Sequence, residues 1–537
     1  MTNNKYWIDN FPYKEPRAQQ EKTINYVLEE FQRGKKYAII ECGTGVGKSA
    51  IGYTLAKTLK SNATEKTSGA YFLTTQKILQ EQYYKDFKDK GLKSLSSSSN
   101  YNCEKSNDSC KEILTQIRAG SDNKKYESCN YSCKYKKAKQ EFIDSEEGIT
   151  NFSYFLTEKN YSKKLPDKSI LIIDEAHNLE NELTRFIEIS VSEYFSNKIL
   201  KLDFDGQKEK LNTQLRAFNF IKTVYSKKLI NKIDHIENTI SRLGSNFNLD
   251  KFKQLSKQID MLKSHHKKIL HFIDIYDKEN WVFDVLEENK YKKLVFKPID
   301  ISAYSKQYIL NYADCIIFMS ASIVSHEGFM TTIGLEKEKT VSIKEKSPFP
   351  AKNRPVIYSP AGSMSAKNID RTLPVMTKMV KHILNNHKNE KGIIHTHNTK
   401  IALHLKNNIK SKRIIVAYGA KREEMLNKHL NSKSNTVLIS PSMSEGVDLK
   451  GNLSTFQIIC KVPFPYLGDK VTRKKMNKWK WWYNTETVRT IIQSLGRSIR
   501  CESDVAITYI LDGDWNRIKT NCKSYFPEGF FDNYHEY

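Results

Sequence analysis

The sequence contains no run of about 18 or more apolar residues, so we expect no membrane-spanning helix and no membrane partner. Its first residues, MTNNKYWIDNFPYKE, lack the apolar stretch of a signal peptide. We therefore expect an intracellular protein, cytoplasmic or nucleoid-associated if the source is a bacterium or a phage. No internal repeat and no long disordered tail is visible, and the 537 residues suggest about three or four domains.

Acidic residues are in deficit, because 61 Asp and Glu stand against 87 Lys and Arg and leave a net charge of +26. An excess of this size attracts polyanions, of which nucleic acids are the commonest in a cell. A lysine-rich composition of AT-biased origin gives the same charge. The charge therefore supports a nucleic-acid partner only together with other signals.

Nine cysteines are present, and in a reducing compartment they are not expected to form structural disulfides. Four of them fall within 31 residues with the spacing C-x6-C-x18-C-x3-C, namely Cys103, Cys110, Cys129 and Cys133. Four clustered thiolates suit either Zn²⁺ or an iron–sulfur cluster. The spacing alone favours zinc slightly.

Apolar runs typical of buried strands recur in two sets, with helical patterns between many of them. The first set comprises 37–42, 70–75, 169–174 and 315–320, and the second comprises 392–397, 413–418, 436–440, 456–462 and 506–512. This alternation is typical of parallel sheets, so two α/β domains are predicted.

Two stretches interrupt the strand pattern. Residues 96–145 are polar and contain the cysteine cluster. Residues 186–298 are charged, with apolar residues at helical spacing, and predict a helical insertion with a basic face. A solvated helical hairpin without a ligand explains the second composition equally well.

A glycine-rich segment, Gly43-Thr44-Gly45-Val46-Gly47-Lys48-Ser49, follows the first predicted strand and opens a predicted helix. In such a turn, backbone N–H groups and the positive end of the helix dipole surround phosphate oxygens. Lys48 is expected to reach the β- and γ-phosphates of ATP, and Ser49 to ligate Mg²⁺. A chance glycine loop is the alternative, but the strand–loop–helix context argues against it.

An acidic pair lies in Asp174-Glu175-Ala176-His177, at the end of the apolar strand 169–174. In a parallel sheet, carboxylates at that position lie beside the phosphate loop. Asp174 is predicted to hold Mg²⁺ through water, and Glu175 to polarise the attacking water. The pair is a weak signal alone and a strong one after a phosphate loop.

The third motif is Gln493-Ser494-Leu495-Gly496-Arg497-Ser498-Ile499-Arg500. Arg497 and Arg500 are three residues apart, which predicts one helix face. A guanidinium there can reach across a domain cleft to the γ-phosphate, with Gln493 beside it in the catalytic set. Taken alone, the segment is more simply a basic surface helix.

Together these motifs resemble those of superfamily 2 helicases, and most closely those of the XPD/DinG-like iron–sulfur helicases. The resemblance runs through nearly the whole chain in the right order. The further matching segments are residues 11–13 with Arg17 and Gln20 for adenine recognition, 74–76 for motif Ia, 320–322 for coupling hydrolysis to movement, 347–349 for the start of the second motor and 445–451 for motif V.

Three departures from the family pattern are visible. Ser322 replaces a threonine, residues 511–514 stand where the family often has Asp-x-Arg, and His395-Thr396-His397 ends a strand where Ser or Thr is commoner. A role for the missing arginine cannot be carried over.

The resemblance implies an α/β fold with two RecA-like parallel-sheet motor domains, the first carrying an iron–sulfur insertion and a helical arch insertion. The implied boundaries are 1–95, 146–185 and 299–345 for the first motor, 96–145 for the iron–sulfur domain, 186–298 for the arch and 346–537 for the second motor.

The resemblance also implies an ATP-dependent DNA helicase that moves 5′→3′ on single-stranded DNA and unwinds tailed duplexes, with the four cysteines holding a [4Fe–4S] cluster. One alternative is an ATP-dependent DNA-binding remodeller or switch that does not unwind. A binding protein with a degenerate motor is the other, and the intact motifs argue against it. The sequence leaves the pathway open, DNA repair included, and assigns no protein partner.

Basic and aromatic residues alternate at 478–483, in the run Lys-Trp-Lys-Trp-Trp-Tyr. Aromatic rings can stack on bases while lysines neutralise phosphates. The favoured interpretation is a helix whose tryptophans pack on the motor. The lysines that follow Cys133 are a further candidate for phosphate contacts, and they are Lys134, Lys136, Lys137 and Lys139.

Overall fold

The computed structural model describes residues 6–59, 67–104, 106, 108–118, 133–204, 206, 210–242, 249–442, 449, 451–499 and 501–537. Its strands are β1 (Tyr37–Cys42), β2 (Thr67–Thr74), β3 (Lys93–Leu95), β4 (Glu147–Asn151), β5 (Lys168–Asp174), β6 (Ile189–Ser192), β7 (Trp281–Glu288), β8 (Tyr291–Pro298), β9 (Cys315–Ser320), β10 (Thr340–Glu345), β11 (Val356–Gly362), β12 (Gly392–His395), β13 (Ile414–Val416), β14 (Val437–Ser440), β15 (Phe456–Ile459), β16 (Ile507–Asp512) and β17 (Tyr534–Glu536).

The helices lie mainly between these strands. They are α1 (Ala18–Gln32), α2 (Lys48–Leu59), α3 (Lys77–Phe87), α4 (Cys110–Arg118), α5 (Lys134–Asp144), α6 (Phe152–Thr157), α7 (Leu179–Ile187), α8 (Glu193–Phe195), α9 (Gln214–Phe220), α10 (Ser226–Ser241), α11 (Leu249–Ile275), α12 (Ser302–Tyr308), α13 (His326–Ile333), α14 (Ile369–Asn386), α15 (Thr399–Asn408), α16 (Arg422–Asn431), α17 (Lys470–Lys478), α18 (Trp482–Leu495) and α19 (Trp515–Cys522).

The first motor is a parallel sheet whose described strands run in the order β10-β1-β9-β5-β2-β4-β3. β1 and β5 are buried along their whole length, as expected of strands covered by helices on both faces. Successive residues of β1 point to opposite faces, so Ile39 packs in one hydrophobic core and Ile40 in the other. The carboxyl ends of β1, β9 and β5 therefore lie side by side.

The second motor repeats this architecture with strands in the order β13-β14-β12-β15-β16-β11-β17, again all parallel. Apolar clusters around Val437 and around Val488 cover its two faces. The prediction of two RecA-like parallel sheets is thus confirmed.

Helices occupy both stretches that interrupt the strand pattern. Helices α4 and α5 fall between β3 and β4, and α8 to α11 fall between β5 and β9. The second stretch is more than helical, because β6, β8 and β7 form a three-stranded antiparallel sheet beside its helices. The long helix α11 reaches the first stretch, where Lys253 pairs with Asp108 at 2.8 Å.

Helix α17 of the second motor docks by charge on the rest of the chain. Lys470 pairs with Asp284 of β7 at 2.8 Å, and Lys478 pairs with Asp300. Lys475 pairs with Glu180 of α7, and both side chains are largely buried. Three basic residues of this helix thus pair with acidic residues outside the second sheet.

The tryptophans near α17 serve the same joint. Trp479 and Trp482 are buried, and a Cβ on Gly328 of α13 would lie 2.6 Å from the Trp481 ring. The packing of these tryptophans is therefore confirmed, but the run is not one helix, because residues 479–481 lie between α17 and α18. In the described ranges, no helix combines the length and apolar character needed to cross a bilayer.

Candidate nucleotide site

The glycine-rich segment forms the turn between β1 and α2. Gly45 and Gly47 have φ values of +91° and +87°, which side-chain-bearing residues rarely adopt. A Cβ on Gly45 would lie 2.1 Å from the Phe349 ring, and one on Gly47 would lie 2.5 Å from Nε2 of Gln20. Glycine is therefore required here both by backbone conformation and by close packing.

The predicted adenine-recognition residues contact this turn. Arg17 donates to the carbonyl of Gly45, and Nε2 of Gln20 donates to the carbonyl of Gly47 at 3.3 Å. The Gln20 side chain also accepts a hydrogen bond from the backbone of Arg17 at 2.9 Å. Both side chains thus lie at the edge of the phosphate loop.

Asp174 ends β5 and lies buried two strands away from β1 in the sheet. Tyr83 donates a hydrogen bond to its Oδ2 at 2.9 Å. Burial raises the pKa of Asp174, the Glu175 carboxylate raises it further, and Lys48 opposes the rise. The positive charge of Lys48 therefore favours the ionised form of the Asp174 carboxyl group.

Glu175 adopts a left-handed backbone conformation with φ of 52°. Its Oε2 lies 3.2 Å from Nδ1 of His177, and the same nitrogen lies 2.8 Å from the Ser320 hydroxyl at the end of β9. The acidic motif is thereby connected to residues 320–322, which were matched to a coupling motif.

A cleft of about 320 Å³ separates the two motors. The first motor contributes Gly43, Thr44, Glu175, His177, Ala321 and Ser322 to its walls, and the second contributes Gln457, Gln493, Gly496 and Arg497. Across it, Nε2 of Gln493 donates to the Ser322 hydroxyl at 3.3 Å. The cleft therefore brings together three of the six predicted catalytic residues, Glu175, Gln493 and Arg497.

The predicted helix face for the arginines is wrong at Arg497. Helix α18 ends at Leu495, and Arg497 follows Gly496 in a turn. The backbone N–H of Arg497 donates to the carbonyl of Ser494 at 3.4 Å. Glycine at the helix end ends the regular periodicity, so a spacing of three no longer implies a shared face. Arg500 lies outside the described residues.

The segment opening the second motor packs on the phosphate loop. The Ser347 hydroxyl donates to the carbonyl of Thr44 at 2.8 Å, and a Cβ on Gly43 would lie 2.6 Å from the backbone nitrogen of Ser347. The phosphate loop thus contacts the first residues of the second motor directly.

Sequence reasoning missed Tyr83, Glu41 and Arg489. Tyr83 bonds to Asp174, Glu41 lines the cleft, and Arg489 bonds to the backbone of Ser322 at 3.3 Å. Their partners are 91 residues away for Tyr83 and 167 for Arg489, so no local pattern marks them.

Among the predicted metal ligands, Cys110 and Cys133 come together, with their sulfurs 3.7 Å apart. Burial raises the pKa of Cys110 to about 11, and Cys133 and Cys103 contribute to that rise. Cys129 lies outside the described residues. Within the described ranges, no group of three or more His, Cys, Asp or Glu side chains is placed to hold a metal ion.

The cysteines present fit a thiolate-bound metal chemically. Two sulfurs bound to one tetrahedral Zn²⁺ at about 2.3 Å lie roughly 3.8 Å apart, close to the observed pair. In a [4Fe–4S] cluster each cysteine binds a different iron, so that cluster requires the pair to spread. The lysines nearby are partly engaged, since Lys134 pairs with Glu104 at 3.3 Å and Lys139 pairs with Glu158 at 2.5 Å.

Two family descriptions match separate parts of the chain. Residues 377–532 match the helicase C-terminal domain, and residues 13–204 match the res subunit of type III restriction enzymes. A protein of Methanocaldococcus jannaschii named "Probable ATP-dependent helicase" is 23% identical, over 98% of this chain and 96% of that protein.

Solved structures extend the similarity to the whole chain. The S. tokodaii Xpd4 structure has a TM-score of 0.61 at 15% identity, covering 97% of this chain and 100% of that one. A structure described as an XPD helicase has a TM-score of 0.66 at 17% identity, covering 98% and 100%. The chain has the fold of these XPD structures. The helicase C-terminal match at residues 377–532 falls within the second sheet's part of this fold.

Proposed function

We propose that the protein is an ATP-driven DNA helicase that moves 5′→3′ on single-stranded DNA and unwinds tailed duplexes. The observation that carries this proposal is the cleft in which Glu175 of one motor faces Gln493 and Arg497 of the other. A nucleotide bound there would touch both motors, so its hydrolysis can change their spacing.

We assign each reacting group a role in ATP hydrolysis, with that of Arg500 resting on the resemblance alone. Lys48 neutralises charge on the transferring phosphoryl group, while Ser49 and Asp174 are the residues that would hold Mg²⁺. Glu175 orients the attacking water, with His177 at 3.2 Å holding its carboxylate in place. Arg497 and Arg500 complete the site from the second motor, as arginine fingers do.

Single-stranded DNA fits the remaining chemistry. The net charge of +26 favours a phosphate backbone, and contacts without base reading suit a protein that must move along any sequence. The direction of movement rests on the XPD/DinG-like resemblance alone.

The four cysteines are proposed to hold a [4Fe–4S] cluster, again on the strength of the resemblance, with zinc as the alternative that the 3.7 Å sulfur pair supports. When bound, either group would hold together a polar insertion with little apolar core. Cys103, Cys110 and Cys133 frame the described part of this insertion.

The test uses two duplexes that differ only in carrying a 5′ or a 3′ single-stranded tail, with protein purified without oxygen. We expect ATP-dependent unwinding of the 5′-tailed duplex only. Unwinding of the 3′-tailed duplex alone would reverse the proposed direction. ATP hydrolysis stimulated by single-stranded DNA without unwinding of either duplex would favour the remodeller instead.

A further inference from the structure

Glu41 is a buried carboxylate beside the phosphate loop that the predicted motifs do not include. It is the penultimate residue of β1, and its side chain is 3% exposed. Its Oε2 accepts hydrogen bonds from the backbone N–H of Val324 at 3.2 Å and from Nε2 of His326 at 3.0 Å. Its Oε1 lies 3.5 Å from Nζ of Lys344 on the neighbouring strand β10. Both oxygens thus face donors.

Val324 occupies an unfavourable backbone conformation. Its φ is 71°, in the left-handed region that a β-branched residue strongly disfavours. Such a conformation persists only where its surroundings hold it. The hydrogen bond from Val324 to Glu41 is a direct restraint of this kind.

The same turn extends into the second motor. The Val324 side chain belongs to a buried apolar cluster with Val356, Tyr358 and Ile459, all from second-motor strands. The side chain of a first-motor residue is therefore part of the second motor's core.

Helix α18 holds the other side of the turn. Arg489 donates to the carbonyls of Ser322 at 3.3 Å and Ile323 at 3.4 Å, and Gln493 donates to the Ser322 hydroxyl at 3.3 Å. Residues 322–324 are thus held by hydrogen bonds to β1 on one side and to α18 on the other.

We propose that Glu41 is a positioning residue that transmits the state of the nucleotide loop to the second motor by holding residues 322–326 in this strained turn. The inference rests on the proposed helicase function. Although Glu41 lines the cleft, its carboxylate oxygens face Val324, His326 and Lys344, so we assign it no contact with the nucleotide. Its loss should therefore reduce the rate at which DNA-bound protein hydrolyses ATP more than the affinity for ATP.

Two substitutions of Glu41 separate the effect of side-chain length from the effect of its negative charge. Glu41→Gln keeps an oxygen at the same distance from Val324, whereas Glu41→Asp keeps the charge and withdraws it by one methylene. We expect Glu41→Asp to lower the DNA-stimulated kcat about tenfold, a usual size for coupling between sites, with KM for ATP within about twofold of the wild type. Glu41→Gln should retain most of the stimulation. If Glu41→Asp equals or exceeds Glu41→Gln, the proposal is overturned.

A second comparison tests the turn itself. Glycine adopts a positive φ without strain, whereas alanine does not, and both remove the Val324 side chain. In the Glu41→Asp background, adding Val324→Gly should therefore leave more DNA-stimulated activity than adding Val324→Ala. Equal activity of the two double variants would show that Glu41 does not act through the turn.

Controls distinguish a wrong role for Glu41 from a wrong helicase function. Glu147 is another buried first-motor carboxylate, paired with Lys57 at 2.6 Å and remote from residues 322–326. Glu147→Gln should keep the DNA stimulation, and thermal unfolding should show that all variants are folded. A wild-type protein that single-stranded DNA does not stimulate would contradict the proposed function. A stimulated wild type with an equally stimulated Glu41→Asp would contradict only the present inference.

Discussion

The two motors share one architecture, yet the side chains at the cleft-facing edge of each sheet, where the strands reach their carboxyl ends, differ in chemistry. The edge of the first motor carries the phosphate loop, Asp174 and Glu175. The edge of the second motor carries His395 at the end of β12 and Arg497 after α18. In the mechanism that we propose, the same fold supplies the reacting groups in one copy and a partner surface in the other, so that both motors are needed for one site.

The largest expected effect comes from breaking the first motor's edge. Lys48→Ala or Glu175→Gln should lower ATP turnover on the order of 10³-fold, because each removes a group that acts on the developing charge or on the attacking water. Steady-state phosphate release measures this. The exposed Lys337, on the surface of the same motor, provides a control as Lys337→Ala. Near-normal turnover in both active-site variants would place the chemistry elsewhere.

The second motor's edge should matter less, but in the same assay. Arg497→Ala should reduce DNA-stimulated turnover on the order of 10²-fold, since Arg500 remains to share the transition-state charge. Arg497→Lys should recover little, because an ammonium does not reproduce the guanidinium geometry. Arg371→Ala, at an exposed position of α14, should have no effect. Equal rates for Arg497→Ala and the control would mean that the first motor works alone.

The cysteine-containing insertion lies outside the nucleotide cleft and tests whether unwinding and ATP turnover can be separated. Cys110→Ser should reduce unwinding about tenfold or more while ATP turnover falls much less, because a small polar insertion without its metal loses its fold but leaves the sheets intact. Iron, sulfide and zinc analysis of anaerobically purified protein identifies the metal. The exposed Cys501 offers a control as Cys501→Ser. Parallel loss of both activities would show that the insertion supports the motor itself.

The smallest effect concerns acid stability of the second motor. Burial lowers the pKa of His395 to about 3, with His397 and Arg497 contributing. In the unfolded chain this histidine binds a proton near pH 6.5, whereas in the folded chain it does so only near pH 3. The contribution of neutral His395 to the free energy of unfolding is therefore fully present above about pH 6.5 and is lost as the pH falls toward about 3. Between pH 6.5 and 5.5, His395→Gln should therefore remove about 1 kcal/mol of the acid-induced loss in unfolding free energy. Denaturant titrations at both pH values measure it, with exposed His382→Gln as the control; an unchanged pH dependence in His395→Gln would refute the assignment.

The sequence predicted the central strands well because buried parallel strands are continuous apolar runs, as β1, β5 and β9 are. It missed β10, whose residues alternate between buried and exposed, and the hairpin β7–β8. The hairpin turns at Asn289 and Lys290, with φ values of 51° and 71°. Lysine at a position that favours glycine concealed the turn.

The candidate site divides in the same way. Residues in contiguous motifs, such as Lys48 and Asp174, could be predicted because strand, loop and helix follow each other in sequence. Glu41, Tyr83 and Arg489 could not, because their partners meet them only through sheet order and domain contact. Arg497 was identified, but its helical placement failed where Gly496 ends the helix.

Helix α17 has a mechanical consequence. Its lysines meet Asp284, Glu180 and Asp300 through charge pairs, which water and salt ions can replace when the surfaces part. The buried tryptophans and the buried Lys475–Glu180 pair favour the closed joint, whereas the more exposed Lys470–Asp284 and Lys478–Asp300 pairs can separate and re-form with little penalty. Such a joint would suit the repeated, ATP-driven movement that we propose.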